Sequence, residues 1–369
     1  MWRHFHPTEV LFAEGMSLEL GKIMTEKGFE KALMVCDPFT ESSGVAEKLA
    51  NEAGGKVVSR YSDIEPNPSL KNVDGAVEAI KKAGAQCVIA VGGGSAIDCA
   101  KSAAAAAFMG VDAMALLQRT PITGALPIIA LSTTAGTGSE VTAAAIISDK
   151  DNGVKEALFS PALFPKVAVV DPELTYTCPP KVTASSGIDV LMHALDALSS
   201  VKATPVTDAM AVKAARMVFK SLPLAYKDGS NKDARCAMST ASVIAGLAFA
   251  LTGTTGSHAM SYHITSKFGM PHGEACAFSA DAWYRINVEA RPELNDFASE
   301  IGFADAEALS DALNKLKREI GLRSTLAEAG IDVKFIPEIA QYTLEASNWG
   351  NNVNPVGIAR IIEFLKKKA

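Results

Sequence analysis

The chain of 369 residues is sparing with histidine, aromatic residues and charge. It contains six histidines, 7% aromatic and 21% charged residues, and its formal net charge is −6. A slightly acidic chain without a basic run lacks the electrostatic footprint of a nucleic-acid-binding protein. Its 48% of hydrophobic residues is typical of a globular protein, and its length predicts about two domains.

Cysteine pairs and long apolar segments are also missing. The six cysteines are scattered without a Cys-x-x-Cys pair, which argues against a small secreted disulfide framework. We interpret them, Cys276 included, as packed thiols of a reducing compartment. The first twelve residues lack the apolar core of a signal peptide, and Gly110 and Asp112 interrupt the alanine-rich run 103–117. We therefore expect a cytoplasmic protein without membrane or nucleic-acid partners.

The first half of the chain alternates short β-type runs with amphipathic helical patterns. The strand candidates are 31–37, 54–62, 85–95, 126–139 and 166–174. This alternation predicts an α/β domain with a parallel, Rossmann-like sheet. From about Ile188 onward the pattern is helical. Pro179-Pro180 is a plausible linker between the alternating part of the chain and the helical part. We predict an α/β domain over 1–180 and an all-α domain over 181–369, with ligands at the strand ends and in the cleft.

Two glycine-rich loops follow strand candidates. In "VGGGSAIDCAK" (91–101), glycines allow close backbone approach to an anion, and the following helix offers its first amides to phosphate. Ser95 is predicted to cap this helix, with Asp98 in a capping-box position. Alone, the loop is equally well explained as a tight turn. A second polar loop, "STTAGTGSE" (132–140), follows another strand candidate. Two such loops at neighbouring strand ends favour the interpretation that they line a nucleotide site.

Asp37 ends the first strong strand candidate. A carboxylate there accepts bonds from a ribose 2′-hydroxyl and repels a 2′-phosphate, which favours NAD over NADP. The alternative is a common Asp-Pro turn.

Four residues in the helical half form a candidate metal set. Asp189 and His193 lie four residues apart, which places them on one helix face, although a structural pair explains that spacing too. Asp196 is as well explained as a surface charge. His258 and His272 would be about 21 Å apart in one unbroken helix. Gly269 and Pro271 break that helix, so that the chain can return and complete a set suited to Fe(II) or Zn(II).

These motifs together resemble the iron-containing (group III) alcohol dehydrogenase family. The resemblance is carried over nearly the whole chain by "GGGSAIDCAK" (92–101), "TTAGTGSEVT" (133–142), "GIDVLMHALDA" (187–197) and "HAMSYHITSKFGMPHG" (258–273). It implies a dehydroquinate synthase-like architecture with a metal, usually Fe(II) and sometimes Zn(II), between the two domains. It implies that the metal ligands are Asp189, His193, His258 and His272. The sequence of the motif at 258–273 is more similar to the phosphonoacetaldehyde reductase-like branch of the family than to its lactaldehyde or propanediol enzymes.

The resemblance also implies roles in cofactor and substrate binding. Gly93, Gly94 and Ser95 would hold the pyrophosphate. The rest of the dinucleotide would be lined by Asp98, Thr133, Thr134, Thr137, Thr142 and Lys155, and the substrate pocket would be shaped by Ala144 and Phe249.

The chain departs from the family at the position four residues after the first motif histidine. Many members have a second histidine there, often assigned to proton relay, whereas this chain has Tyr262 and places His263 one residue later. We prefer His263 over Tyr262 for the relay, since imidazole titrates near neutrality. A second departure is Asn354-Pro355-Val356, where the family often has an arginine.

The implied activity is hydride transfer between NAD(H) and a small primary or secondary alcohol, or its aldehyde or ketone. We expect a homodimer or a higher homo-oligomer. Two alternatives stay open: a metal-dependent lyase or hydrolase on the same scaffold, and a non-catalytic binding protein.

Overall fold

The computed structural model describes all residues 1–369 and divides into two compact units. One unit comprises residues 5–134 and 138–176. The other comprises residues 1–4, 135–137 and 177–369.

The first unit is built on a parallel sheet. The strands of the chain are β1 (Glu9–Phe12), β2 (Ala32–Cys36), β3 (Val57–Tyr61), β4 (Cys87–Gly92), β5 (Ile128–Ser132), β6 (Ala144–Asp149), β7 (Val154–Phe159) and β8 (Val167–Val170). Six of them form one sheet in the order β1-β8-β5-β4-β2-β3, with every pairing parallel. The predicted α/β class and all five strand candidates are confirmed.

The strand order reverses between β2 and β4. From β2 the chain crosses to β3 on one side, and β4 then returns to the other side of β2. Residues of β2, β4, β5 and β8 are fully buried, as expected for central strands covered on both faces. In such sheets ligands bind outside the carboxyl ends of the strands at this reversal, which here is where Asp37 and the first glycine loop lie.

Three strands were missed by sequence reasoning. β1 is a four-residue edge strand, and β6 and β7 form a separate antiparallel pair. The helices of the first unit are α1 (Leu20–Glu26), α2 (Pro38–Ser42), α3 (Val45–Glu52), α4 (Leu70–Ala83), α5 (Gly94–Met109) and α6 (Ala113–Leu117).

The second unit is helical, as predicted. Its helices are α7 (Pro180–Leu198), α8 (Pro205–Lys227), α9 (Lys232–Thr252), α10 (Gly256–Phe268), α11 (His272–Phe278), α12 (Ala280–Val288), α13 (Leu294–Ile301), α14 (Ala306–Glu319), α15 (Leu326–Ala329), α16 (Ile336–Glu345) and α17 (Ile358–Lys366). α7, α8 and α9 pack around a core that contains Leu191, Leu222 and Met238. Although α9 is long and apolar enough to cross a membrane, packing in this core accounts for its composition.

The Pro179-Pro180 pair begins a helix. Pro179 is the N-cap of α7 and Pro180 its first residue, a position where the missing N–H costs no hydrogen bond. The division of the chain at residue 180 stays a prediction.

Candidate metal centre and dinucleotide site

α7 carries two of the predicted ligands on a buried face. Asp189 and His193 lie one turn apart in the stretch from Gly187 to Leu198, which is buried throughout. His193 Nε2 lies 4.0 Å from Asp189 Oδ2. At that distance the two atoms do not hydrogen-bond, but they can share a cation.

The helix break after α10 brings the other two histidines together. α10 ends at Gly269, whose φ of 66° is the left-handed conformation that glycine adopts readily. Pro271 then caps α11, which begins at His272 itself. The ring centroids of His258 and His272 are 5.5 Å apart. The prediction that Gly269 and Pro271 return the chain to His258 is confirmed.

Gly273 allows α11 to lie directly against α7. A Cβ at this position would be 1.9 Å from the carbonyl oxygen of Ser185 and 2.8 Å from the Asp189 side chain. Any other residue would therefore push α11 away from α7. The glycine sets the distance between His272 and Asp189.

The ligand atoms converge on a space suited to a cation. One ligand atom from each of Asp189, His258, His272 and Cys276 lies within 4.8 Å of the others. Asp189 Oδ1 and His258 Nε2 are buried, 3.5 Å apart and without hydrogen-bond partners. Leaving two such atoms unpaired costs roughly 1–3 kcal/mol each, unless something between them binds both. A divalent metal ion fits that space and that donor set.

Asp196 orients His258 from behind. Its Oδ2 lies 2.7 Å from His258 Nδ1, and the same carboxylate accepts hydrogen bonds from the Thr255 amide and the Ser257 hydroxyl. Asp196 is buried, so the alternative of a surface charge is wrong. A carboxylate on one imidazole nitrogen fixes the tautomer that leaves the other nitrogen free for a metal. Its position seven residues after Asp189, on the same face of α7, was the available signal.

His193 lies between two rings. It stacks on Phe249 with 4.0 Å between centroids and on His258 with 4.8 Å. Burial lowers the pKa of His193 to about 4, although the Asp189 carboxylate opposes the shift. The ring is therefore neutral at physiological pH, the state that a metal ligand requires.

The charges of the cluster favour a positive ion. Burial raises the pKa of Asp189, but the imidazoles of His193 and His272, when protonated, outweigh it and hold that pKa well below its usual value. For His258, burial opposes protonation, yet negative charge at Cys276 and Asp196 raises its pKa well above the usual range.

The two candidate relay residues occupy different faces of α10. The Tyr262 ring lies parallel to that of His272, with 6.4 Å between centroids. His263 points toward α16, where its ring stacks on Tyr342 at 4.1 Å and its Nε2 lies 2.9 Å from Glu338 Oε1. Relative to His258, Tyr262 is rotated by roughly 40° and His263 by roughly 140° around the helix axis.

The first glycine loop meets α5 without a side-chain cap. The helix begins at Gly94 with Gly93 as its N-cap, so the prediction that Ser95 caps it is wrong. Ser95 Oγ instead accepts a hydrogen bond from the Asn67 amide. A Cβ on Gly93 would be in ordinary van der Waals contact with the Thr134 side chain, at 3.6 Å. The uncapped amides of α5 suit a pyrophosphate.

Asp37 combines two contacts at the carboxyl edge of the sheet. Its Oδ1 accepts from the Thr40 amide as the N-cap of α2, and its Oδ2 accepts from the Thr40 hydroxyl. A Cβ added to Gly92 would lie only 2.4 Å from Asp37 Oδ2, so a side chain at Gly92 would clash with the carboxylate. Gly92 also has a φ of 148°. The Asp-Pro turn is therefore real, and the carboxylate still adjoins the glycine loop.

A buried lysine that sequence reasoning did not single out holds the segment that follows the second loop. Lys101 is fully buried and donates to the backbone oxygens of Thr142 and Ala144, each at 2.8 Å. Asp98 accepts from the Ser139 hydroxyl and the Ile146 amide. Both therefore support the loop through protein contacts, and Asp98 does not complete a capping box.

The other predicted cofactor residues lie around these loops. The Thr133 amide donates to the Gly92 carbonyl, which joins the two loops, and Thr134 faces Gly93. Lys155, in β7, donates to the Asn67 side chain. Thr137 belongs to the short segment 135–137 of the helical unit.

Comparison with known proteins identifies the family. The family model "Iron-containing alcohol dehydrogenase" matches residues 7–172, and "Fe-containing alcohol dehydrogenase family, C-terminal" matches residues 183–369. A solved structure of sulfoacetaldehyde reductase from Bifidobacterium kashiwanohense in complex with NAD+ superposes with a TM-score of 0.96 at 38% identity, over 100% of this chain and 99% of that one.

Two curated proteins are similar over most of their length. The 1-propanol dehydrogenase PduQ of Salmonella typhimurium is 35% identical over 90% of this chain and 92% of its own. Alcohol dehydrogenase 4 of Schizosaccharomyces pombe is 33% identical over 95% of this chain and 85% of its own.

The chain belongs to the iron-containing alcohol dehydrogenase family. It is an oxidoreductase that transfers a hydride between an alcohol and an aldehyde with NAD(H), and it uses a metal ion.

Proposed function

We propose that the protein interconverts a small primary or secondary alcohol and its aldehyde or ketone, with NAD rather than NADP as the coenzyme. The proposed metal ligands are Asp189, His193, His258 and His272. The observation that carries the assignment is the pair of buried, unpartnered atoms Asp189 Oδ1 and His258 Nε2, which face each other at 3.5 Å.

The bound metal would supply Lewis acidity, which lowers the pKa of an alcohol and polarises a carbonyl. The chain's own residues do the positioning. Asp196 holds His258 in one tautomer, and Phe249 holds the His193 ring by stacking. Because Phe249 forms an apolar wall beside that ring, it would limit the size of the substrate. A role of Ala144 in substrate binding stays a prediction.

For the dinucleotide, the proposed contacts are the first-turn amides of α5 with the pyrophosphate and Asp37 with the adenosine ribose. Asp37 supports NAD because its carboxylate would repel a 2′-phosphate. Gly93, Gly94 and Ser95 would lie against the pyrophosphate. The remaining proposed contacts are Asp98, Thr133, Thr134, Thr137, Thr142 and Lys155.

For proton transfer we now favour Tyr262 over His263. Tyr262 is on the helix face of His258, and its ring lies along that of His272. His263 is engaged with Glu338 and Tyr342 on another face.

The substrate class is supported by the relatives. One is a 1-propanol dehydrogenase and another a sulfoacetaldehyde reductase, both named for compounds of two or three carbons. The phosphonoacetaldehyde reductase-like branch stays a prediction. We also propose a cytoplasmic location, supported by six scattered cysteines that form no disulfide, and a homodimer or higher homo-oligomer.

The test is a substrate screen on metal-free protein reconstituted anaerobically with Fe(II) or Zn(II). Short alcohols, diols, aldehydes, sulfoacetaldehyde and phosphonoacetaldehyde are supplied with NAD or NADH, and NADH absorbance is followed. We expect metal-dependent turnover in the wild type and in His4→Ala, at an exposed histidine, and none in His258→Ala. Stoichiometric metal without NADH change on any substrate would favour the lyase or hydrolase. If the protein binds neither the metal nor NAD, the non-catalytic alternative is favoured.

A further inference from the structure

The loop 62–69, between β3 and α4, contacts two of the residues proposed for the coenzyme. The amide of Asn67 donates to Ser95 Oγ, in the first turn of α5, at 3.1 Å. The side-chain oxygen of Asn67 accepts from Lys155 Nζ, on β7, at 2.9 Å. The loop therefore joins the helix end proposed for the pyrophosphate to the strand that carries Lys155. A shift of the loop would move both side chains.

The two ends of this loop are anchored at α4. Asn72 Nδ2 donates to the carbonyl oxygen of Asp63 at 2.8 Å, and Ser69 forms a capping box with Asn72. The Ser148 amide, in β6, also donates to the Pro68 carbonyl oxygen at 2.9 Å. The middle of the loop, residues 65–67, lies between these anchors and includes the contacts of Asn67.

The turn of the β6–β7 hairpin holds the middle of the loop by one lysine. Lys150 Nζ lies 2.6 Å from Glu65 Oε2 and donates to the carbonyl oxygen of Pro66 at 3.2 Å. A hydrogen bond from Lys150 lowers the pKa of Glu65, so the carboxylate is charged at neutral pH. The two side chains are 43% and 45% exposed. An ion pair this exposed changes an equilibrium by about two- to fivefold, which is enough to bias the loop but not to fix it.

We propose that Glu65 and Lys150 are positioning residues for the coenzyme. Their ion pair holds the loop 62–69 against the first turn of α5, and the loop detaches when NAD(H) is released. The pair therefore sets the dissociation rate of the coenzyme and not the rate of hydride transfer. This role rests on the dinucleotide site of the proposed function. It gives the β6–β7 hairpin, which sequence reasoning missed, a part in coenzyme exchange.

Stopped-flow dissociation of NADH tests this role. Protein reconstituted with Zn(II) and loaded with NADH is mixed with excess NAD, and the decay of bound-NADH fluorescence gives the dissociation rate. We expect that rate to rise about two- to fivefold in Glu65→Gln and in Lys150→Met. The double variant should be no faster than the faster single variant, because both changes break one contact. The difference from the wild type should shrink at high salt, which screens an exposed pair.

A second ion pair of the same hairpin is the matched control. Arg119 Nη2 lies 3.2 Å from Glu156 Oε2 and joins β7 to the segment after α6. Arg119→Met and Glu156→Gln should leave the dissociation rate unchanged. In all of these variants the single-turnover rate of hydride transfer to a short aldehyde and the thermal midpoint should stay at the wild-type values. A purely structural role of Lys150 would instead lower the midpoint.

The outcomes separate this role from the proposed function. Wild-type dissociation rates in Glu65→Gln and Lys150→Met, with NADH still bound, would overturn the role of the pair and leave the coenzyme site intact. An equal increase in Arg119→Met would show that the hairpin is loosened in general and would overturn it too. If the wild type binds no NADH, both this role and the proposed function are overturned.

Discussion

Asp196 Oδ2 lies 2.7 Å from His258 Nδ1, and this contact turns His258 Nε2 toward Asp189. The two carboxylates of α7 therefore act on one imidazole from opposite sides. Asp196 holds the ring, while Asp189 and the free Nε2 face the space for the metal. A helix with two acidic residues seven positions apart can do this because both lie on one face.

Asp196→Asn should weaken the metal site without removing a ligand. The amide keeps the size of the side chain but loses the charge that favours the Nδ1–H tautomer. We expect metal affinity to fall by about 10–100-fold, measured as Zn(II) Kd by competition with a chelator. Asp233→Asn, at an exposed carboxylate at the start of α9, is the control. Equal affinities in the two variants would contradict the role of Asp196.

Gly273→Ala should separate α11 from α7. Its Cβ would come within 1.9 Å of the Ser185 carbonyl oxygen, so the backbone must move. We expect a loss of about 1–3 kcal/mol in the free energy of unfolding, measured by urea titration, together with loss of bound metal. Gly350→Ala is the matched control, since a Cβ there meets nothing within 4 Å. Normal metal content in Gly273→Ala would show that His272 does not depend on this contact.

The sheet was predictable because its central strands are apolar throughout. The runs around Met34, Ile89, Leu131 and Val169 are buried on both faces, so composition alone indicates them. β6 and β7 were missed because the polar turn around Asp151 divides a segment with little β-branched content. The edge strand β1 is only four residues long.

In the site, spacing predicted which residues meet but not how they are supported. The break at Gly269 is a local signal, since a left-handed glycine followed by proline ends a helix. The contact of Asp196 with His258 joins residues 62 positions apart. The spacing of Asp196 from Asp189 places it on the same helix face, but no local pattern indicates His258 as its partner. The prediction that Ser95 caps α5 was wrong for a related reason. The Ser95 hydroxyl accepts a hydrogen bond from the Asn67 amide, which is distant in sequence.

Asp37→Ser should change coenzyme preference without unfolding α2. Serine caps a helix about as well as aspartate, so the contact with the Thr40 amide is kept while the charge is removed. We expect kcat/KM with NADP to rise relative to NAD, because the repulsion of a 2′-phosphate is lost. An unchanged NADP-to-NAD ratio, with normal thermal stability, would remove Asp37 from ribose recognition.

Lys101→Met should remove a pH dependence of stability. Burial lowers the pKa of Lys101 from 10.5 to about 8, with Asp98 opposing the shift. Between these values the unfolded chain binds more protons than the folded protein, so Lys101 makes the free energy of unfolding rise with pH there, by at most about 1.4 kcal/mol per pH unit. Urea titrations at pH 8 and pH 10 should show that the wild type gains stability relative to the variant. Parallel changes in both proteins would contradict the buried, shifted lysine.

Tyr262→Phe and His263→Gln should separate the two candidate relays. Removal of a hydroxyl that transfers a proton should lower kcat by about 100-fold or more, with metal content unchanged. His263 instead bridges α10 and α16 through Glu338 and Tyr342, so His263→Gln should lower the thermal midpoint more than kcat. Single-turnover rates with NADH and a short aldehyde, followed across pH, measure the chemical step directly. A large loss of that rate in His263→Gln, with Tyr262→Phe near normal, would assign the relay to the imidazole and show that α10 rearranges during turnover.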